Sequence, residues 1–309
     1  VTIDGKEYPM RDMNFPTVDP ADPLRLTDEE EELLHTLELS FRHNARLHEH
    51  VRFLYSNGSM YKCCNSNLLY HGCIPMTENR EFDGLMVGGK MYRGKELMDF
   101  IDTQVKNAYF LPEDAPEKEA CRDFMWYLWN GAKSPVFGKD KNRSFEHYFI
   151  EDPEVMRETM NPYYQLSEEE ETCDMILKEF GLPTKGSHII NGHMPVKIKS
   201  GETPIRAGGK LFIIDGGLSK AYQERTGIAG YTLVCNSRGM RLVAHEPFES
   251  TEAAILKESD IFSDSIVVEN FSRRKMVADT DTGKEIQENI FYLEELLEAY
   301  REGTIMEEV

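Results

Sequence analysis

Ser187-His188-Ile189-Ile190-Asn191-Gly192-His193-Met194-Pro195-Val196-Lys197-Ile198-Lys199 is the stretch whose reading decides the fold. Residues 187–190 are a short β-branched run. Residues 195–199 alternate apolar and charged side chains with the period of a half-buried strand. Two strands are therefore predicted, with Asn191-Gly192-His193-Met194 between them. A Gly-His pair leaving an apolar strand suits a metal site. Gly192 lets the backbone turn and approach closely, and His193 projects off the carboxyl edge of a sheet, where open α/β sheets collect ligands. On these four residues alone, an ordinary turn histidine is the competing explanation.

Upstream the same arrangement occurs once more. Residues 60–64 and 68–70 read as a hairpin across Asn65-Ser66-Asn67, and it ends in His71-Gly72-Cys73-Ile74-Pro75. His71 also leaves an apolar strand beside a glycine, 193 − 71 = 122 positions before His193. Downstream, residues 210–214 form a buried strand that ends at Asp215-Gly216-Gly217, after a turn at Ala207-Gly208-Gly209. A helical turn is predicted over 218–225. A hairpin pairs 231–235 with 240–245, and a strand covers 265–271. His188 and His245 have no motif behind them and receive no role.

Elsewhere the periodicity is helical. Thr27 and Glu30 make a capping box for a helix predicted over 27–55, with an apolar stripe of Leu33, Leu34, Leu37, Phe41, Leu47, Val51 and Leu54. Its histidines His35, His43, His48 and His50 read as surface or packing residues. Further helices are predicted over 95–108, 117–130, 167–181 (with Ser167 and Glu170 as a capping box), 251–258 and 284–302. The aromatic crowd Phe124, Trp126, Tyr127, Leu128 and Trp129 reads as core. Gly89 to Lys95 (GKMYRGK) meets the first part of a P-loop, but Glu96 stands where Ser or Thr must hold magnesium, so the segment reads as a hairpin entering a helix. Residues 1–8 read as strand-turn-strand and 9–26 as an extended connector.

The 309 residues are 40 % hydrophobic and 10 % aromatic, enough for a full core, and carry a formal net charge of -20. That charge argues against nucleic acid, whose binding draws on phosphate neutralisation by Lys and Arg. It leaves room for a small phosphorylated substrate, because a local pocket of cations reverses the field. No apolar run is long enough to span a membrane, and no signal peptide is evident. The six cysteines are irregularly spaced, as in a reduced, cytoplasmic protein. Val1 instead of Met raises the expectation that part of the natural protein precedes it. Residues 131–143 form a loop with four cations, read either as solvated or as a surface for phosphate.

Taken in order, these features become recognisable. Leu68-Leu69-Tyr70-His71-Gly72 resembles the strand-His-Gly step of calcineurin-like metallophosphoesterases, and Asn191-Gly192-His193 resembles their later Gly-His step. A closer resemblance is to the class 3 fructose-1,6-bisphosphatases, over essentially the whole chain. It is most specific in Val51-Arg52-Phe53-Leu54-Tyr55-Ser56, Trp126-Tyr127-Leu128-Trp129, Phe137-Gly138-Lys139-Asp140-Lys141 and residues 189–231. The superfamily's D-x-H, G-D-x-x-D and G-N-H-[DE] steps do not occur here. In the family they precede the His71 step, so the chain resembles the C-terminal half of such an enzyme.

The resemblance implies an α/β fold, part of a metallophosphoesterase β-sandwich with a helical insertion and a C-terminal helical extension. The expected divisions are a connector, long helix and first sandwich strands at 1–94, the insertion at 95–182, a second strand group at 183–249 and the extension at 250–309. It implies a dinuclear manganese site, with magnesium as the other option, that hydrolyses the 1-phosphate of fructose 1,6-bisphosphate in gluconeogenesis. His71 and His193 would ligate one of the two metals. The other metal's ligands, the general acid and the remaining polypeptide would come from the absent N-terminal half, so the 309 residues alone are expected to be inactive. Candidate phosphate-binding residues are Lys139, Lys141 and Arg143 in the first loop and Lys220 and Tyr222 in the second. The alternatives are a Ser/Thr protein phosphatase and a non-catalytic binding or regulatory module. A sheet edge left by the missing half would invite self-association, which keeps a homo-oligomer among the expectations.

Overall fold

The computed structural model describes residues 1–216, 219–258 and 263–305. In chain order they form β1 (Thr2–Ile3), β2 (Lys6–Glu7), α1 (Asp28–Arg42), α2 (Ala45–Asn57), β3 (Tyr61–Cys64), β4 (Asn67–Tyr70), β5 (Gly84–Val87), β6 (Lys90–Arg93), α3 (Gly94–Phe110), α4 (Lys118–Asn130), α5 (Glu146–Phe149) and α6 (Tyr163–Leu166). There follow α7 (Glu170–Glu179), β7 (Ile189–Asn191), β8 (Ile205–Arg206), β9 (Leu211–Ile213), α8 (Lys220–Thr226), β10 (Gly230–Asn236), β11 (Gly239–His245), α9 (Thr251–Lys257), β12 (Ser263–Asn270) and α10 (Asp281–Arg301). The fold is mixed α/β, as expected. Among the described residues no helix is long and apolar enough to cross a membrane. The chain divides into two compact units, residues 1–60 with 73–164, and residues 61–72 with 165–309.

The first unit is mostly helical. Asp4 and Gly5 turn β1 into β2 with φ of 50° and 81°. The predicted capping box is present, Thr27 and Glu30 each satisfying the other's backbone N–H. The single helix predicted over 27–55 is instead two. His43 ends α1, and the Asn44 side chain accepts from Leu47 N at 3.0 Å and starts α2. An Asn that caps a new helix competes locally with continuing the old one. Neither helix buries a residue, so the stripe of Leu33, Leu34, Leu37 and Phe41 faces outward and not a core. The β5–β6 hairpin replaces the P-loop-like segment, turning on Gly88 and Gly89 at φ 58° and 81°. Leu85, Leu97, Ile101 and Leu128 form the core here, with Phe124 and Tyr127 against them. Trp126 and Trp129 stand 62 % and 50 % exposed, so the aromatic crowd is only partly core.

The second unit contains a five-stranded sheet in the order β3-β4-β7-β9-β8. Its centre is parallel: Leu68 and Leu69 pair with Ile189 and Ile190, and Ile189, Ile190 and Asn191 pair with Leu211, Phe212 and Ile213. Both edges are antiparallel. The β3–β4 turn uses Asn65 and Ser66 at φ 49° and 65°, the left-handed pair that a two-residue hairpin needs. Period-two alternation sends Ile190 and Phe212 to one face, where they pack with Met240 and with Leu69, Leu233 and Val268. Those partners join the five-stranded sheet to a second sheet of order β10-β11-β12, two layers around one core. Leu68, Ile189 and Leu211 are at most 1 % exposed. Truncating Ile189 to alanine should therefore cost about 2–5 kcal/mol in chemical denaturation. A loss below about 1 kcal/mol would mean that β7 is not central.

Two sequence expectations fail in this unit. Residues 195–199 are not a strand: Pro195 has no N–H to give a ladder, and Ile198–Ser200 closes a 3₁₀ turn with Ile198 42 % exposed. Ser167 does not cap α7. Glu169 stands at the cap without a side-chain bond, while Ser167 is buried and its carbonyl accepts from the Cys173 thiol at 3.3 Å. The six cysteines are all free.

Candidate metal centre

Three adjacent parallel strands end on one edge of the sheet. After β4 comes His71, after β7 come Gly192 and His193, and two residues beyond β9 comes Asp215. Parallel pairing is what aligns these ends, since β4, β7 and β9 run in the same direction in close register. The loops are tied to one another by backbone bonds. Gly192 N donates to His71 O at 2.9 Å, Ile214 N to Asn191 O at 2.9 Å, and Val196 N to Asp215 O at 2.9 Å. The buried Asn191 side chain adds a bond from Nδ2 to Gly72 O at 3.0 Å.

The two predicted histidines meet. His71 Nε2 lies 3.4 Å from His193 Nδ1, and the rings stand edge to face with centroids 5.2 Å apart. His71 is exposed and His193 half-buried, so the pair opens outward. The unusual backbone is at His193 and not at Gly192. His193 has φ 67°, and Met194 N donates to Gly192 O at 2.8 Å across it, a γ-turn. A side chain held in this left-handed region costs about 1–2 kcal/mol. Such strain persists only where the surroundings enforce it, and it concentrates at functional sites. A methyl placed on Gly192 would rest in ordinary contact with His71 Nδ1 at 3.5 Å, Asp215 Cβ at 3.6 Å and Asp215 Oδ2 at 3.8 Å, so the glycine lies between these two side chains.

Facing nitrogens 3.4 Å apart suit two ligands of one divalent ion with bonds of roughly 2.1 Å. Imidazole suits the transition metals, whereas magnesium prefers an all-oxygen shell. The pair thus fits a divalent transition-metal ion as part of a ligand set. Among the described residues no third His, Cys, Asp or Glu joins it to make a metal-holding group.

Lys139, Lys141 and Arg143 belong to the first unit, where carboxylates engage each of them. Lys139 Nζ is 2.6 Å from Glu158, Lys141 Nζ is 3.8 Å from Asp4, and Arg143 binds Asp4 and Glu146. The Lys139 ammonium and the Arg143 N–H hold the Glu158 carboxyl below its ordinary range, against the opposing effect of burial. In the second unit Tyr222 is 49 % exposed on α8. Lys220 opens that helix, and its side chain lies outside the described residues, as do 217 and 218.

His188 and His245 have structural roles. His245 bridges Thr232 Oγ1 at 2.8 Å and Ser263 Oγ at 3.1 Å across the three-stranded sheet. His188 stacks on Phe212 with centroids 5.0 Å apart and contacts Asn67 Oδ1 through Nδ1 at 3.1 Å. Burial, aided by Lys210 and Lys275, lowers its pKa to about 4. It therefore stays neutral in the fold while the unfolded chain takes up a proton near pH 6.5. The unfolded state binds more protons in this window, so the His188 contribution to stability is complete above pH 6.5 and is lost as pH falls towards 4. His188→Gln should flatten the stability profile between those values. An unchanged slope would assign the acid sensitivity to other groups.

Asp215 is the residue for which sequence reasoning found no role. Its signal was present as an apolar strand ending in Asp-Gly-Gly, the third strand end beside the two histidines.

The chain is similar to a set of named proteins. The family described as Firmicute fructose-1,6-bisphosphatase matches residues 1–302. The class 3 fructose-1,6-bisphosphatase of Bacteroides fragilis is 53 % identical over 99 % of this chain and 46 % of its own length. That of Clostridium tetani is 50 % identical over 100 % of this chain and 47 % of its own length. That of Fusobacterium nucleatum is 52 % identical over 99 % and 47 %. The chain thus spans about half the length of the curated relatives it matches. No solved structure matches it.

Proposed function

Because the chain belongs to the Firmicute fructose-1,6-bisphosphatase family, we propose that it supplies one side of a metal-dependent phosphatase site that removes the 1-phosphate of fructose 1,6-bisphosphate. The observation that carries the reading is the 3.4 Å approach of His71 Nε2 and His193 Nδ1 at the ends of neighbouring parallel strands. Bound divalent ions, manganese in this reading, would supply charge neutralisation of the phosphoryl group and a water of lowered pKa. The protein's own contribution is placement. Two strand ends hold the imidazoles, and the γ-turn aims His193.

Two imidazoles make an incomplete set for manganese. The remaining ligands and the general acid belong, in this reading, to the half of the relatives' length that the match does not cover, N-terminal to this chain. Lys139, Lys141, Arg143, Lys220 and Tyr222 are the candidates for holding substrate phosphates. For the three loop cations, substrate would have to compete with carboxylates already in place. Gluconeogenic sugar metabolism in the cytoplasm is the setting this reading implies. The antiparallel edge strand β3 is where copies of the isolated chain would self-associate.

The test is direct. Stripped of metal, the 309-residue chain should lose Mn²⁺ on gel filtration and hydrolyse no fructose 1,6-bisphosphate above background. Adding the remaining polypeptide of a complete enzyme should restore both retention and turnover. Manganese-dependent turnover by the isolated chain would overturn the divided site. In the restored enzyme, preference for a phosphopeptide over the sugar bisphosphate would favour a protein phosphatase.

A further inference from the structure

The amino end of the parallel strands carries a cavity of about 310 Å³, at the small end of the range for ligand clefts. Every residue that lines it belongs to the second unit. Asn67, which opens β4, and His188, which precedes β7, lie in its wall, whereas His71 and His193 follow the other ends of the same strands. Hydrogen bonds fix which atoms here accept. Asn67 Nδ2 donates to Cys64 O at 3.3 Å and to Asn65 O at 3.2 Å, so Oδ1 is the atom 3.1 Å from His188 Nδ1. An amide oxygen only accepts, and Nδ1 therefore carries the proton. Burial keeps the His188 ring neutral, its side chain being 11 % exposed, which leaves Nε2 bare. Nε2 stands 3.9 Å from Glu269 Oε2, too far for a hydrogen bond and without the charge for an ion pair. Among the described residues no Lys or Arg pairs with Glu269. The other carboxylate of the wall, Asp279, is engaged by Arg273 at 2.7 Å and by Met276 N at 2.8 Å. Two facing acceptors call for one group that donates several hydrogens, and an ammonium does so best beside a carboxylate.

The rest of the wall describes the rest of the ligand. Lys275 lines the same cavity with Nζ 4.1 Å from the Phe271 ring centroid, and its charge helps to keep His188 neutral. Among the described residues no carboxylate pairs with this ammonium, which suits it to a ligand carboxylate. Met240, Phe271, Met276 and Val277 supply apolar surface. A sugar bisphosphate would meet two carboxylates and one lysine here, so the cavity favours a small molecule without net charge. We propose that it binds a free α-amino acid with an apolar side chain: the ammonium donates to His188 Nε2 and Glu269, the carboxylate meets Lys275, and the side chain packs on the apolar surface.

The experiment titrates L-leucine, L-methionine and L-phenylalanine into the 309-residue chain by calorimetry and ligand-observed NMR. At least one should saturate with Kd below about 1 mM. For leucine, removing the amine (4-methylpentanoate) or the carboxylate (3-methylbutylamine) should weaken binding about tenfold or more. Glu269→Gln should weaken the amino acid about tenfold and leave 4-methylpentanoate unaffected. Lys275→Met should weaken the amino acid to a similar degree and leave 3-methylbutylamine unaffected. Circular dichroism checks that both variants fold, and the analogue series on the parent chain decides the matter if either does not. Failure of all three amino acids to saturate below about 10 mM overturns the proposal, as does binding that neither variant weakens. If 4-methylpentanoate or inorganic phosphate binds as tightly as the amino acid and loses that affinity in Lys275→Met, the cavity is a simple anion site and the proposal falls.

Discussion

Replacing His193 with glycine in the complete enzyme is expected to lower kcat/KM by about 10²–10⁴. A lost metal ligand removes several kcal/mol of transition-state charge stabilisation, and each 1.36 kcal/mol is tenfold in rate. Glycine is the informative choice. His193 sits at φ 67°, where glycine relieves strain that any other side chain retains. The variant should therefore be at least as stable as the parent in thermal unfolding while losing turnover and Mn²⁺ retention together. His71→Ala, with no left-handed backbone to relieve, should show the same kinetic loss. Activity of His193→Gly within threefold of the parent would remove His193 from the metal site and leave the γ-turn as a local feature of the loop.

Arg143→Ala is expected to cost about 1–3 kcal/mol of stability in the first unit, a larger effect than for either neighbouring lysine. The side chain is 11 % exposed and lies between Asp4 and Glu146, the latter only 21 % exposed. Its backbone N–H also donates to Glu158 Oε1 at 2.9 Å. Removing Arg143 leaves Glu146 charged and partly desolvated, the costly way to break such a pair, whereas Asp4, 71 % exposed, stays solvated. Arg143→Lys should recover part of the charge but not the two-carboxylate geometry, because an ammonium lacks the planar fork. Urea denaturation measures the first effect. The kinetic split separates a tie from a phosphate contact. If Arg143 holds substrate, Arg143→Lys raises KM beyond what its stability loss explains. If it only ties the loop, KM stays at the parent value. A stability loss under about 1 kcal/mol in Arg143→Ala would show that the ion pairs are solvated and of little weight.

Much of the fold was legible because the signals are local. Thr27 and Glu30 announce a helix start, Asn65-Ser66 and Gly88-Gly89 announce hairpins, and the runs at 189–191 and 211–213 are too β-branched and apolar to be much else. The misreadings arise where a local pattern meets a competing local bond or a missing partner. Asn44 caps a second helix inside a continuous apolar stripe. Pro195 breaks an alternation that otherwise reads as a strand. Leu33, Leu37 and Phe41 have helical spacing, yet spacing says only that residues share a face, not that anything covers it.

The sequence by itself determined the family, the mixed α/β class, and the two histidines that leave apolar strands beside glycines. It did so because those properties reside in residue type and short spacing. Only the tertiary structure decided that His71 and His193 meet, that the strained residue is His193 and not its glycine neighbour, and that Asp215 shares their edge. Those facts depend on parallel pairing among residues 68–70, 189–191 and 211–213. The register of β4 against β7 joins segments 121 positions apart, such as Leu68 and Ile189. No local propensity carries that information; it comes from the in-register pairing of Leu68, Ile189 and Leu211, each at most 1 % exposed, across three neighbouring strands.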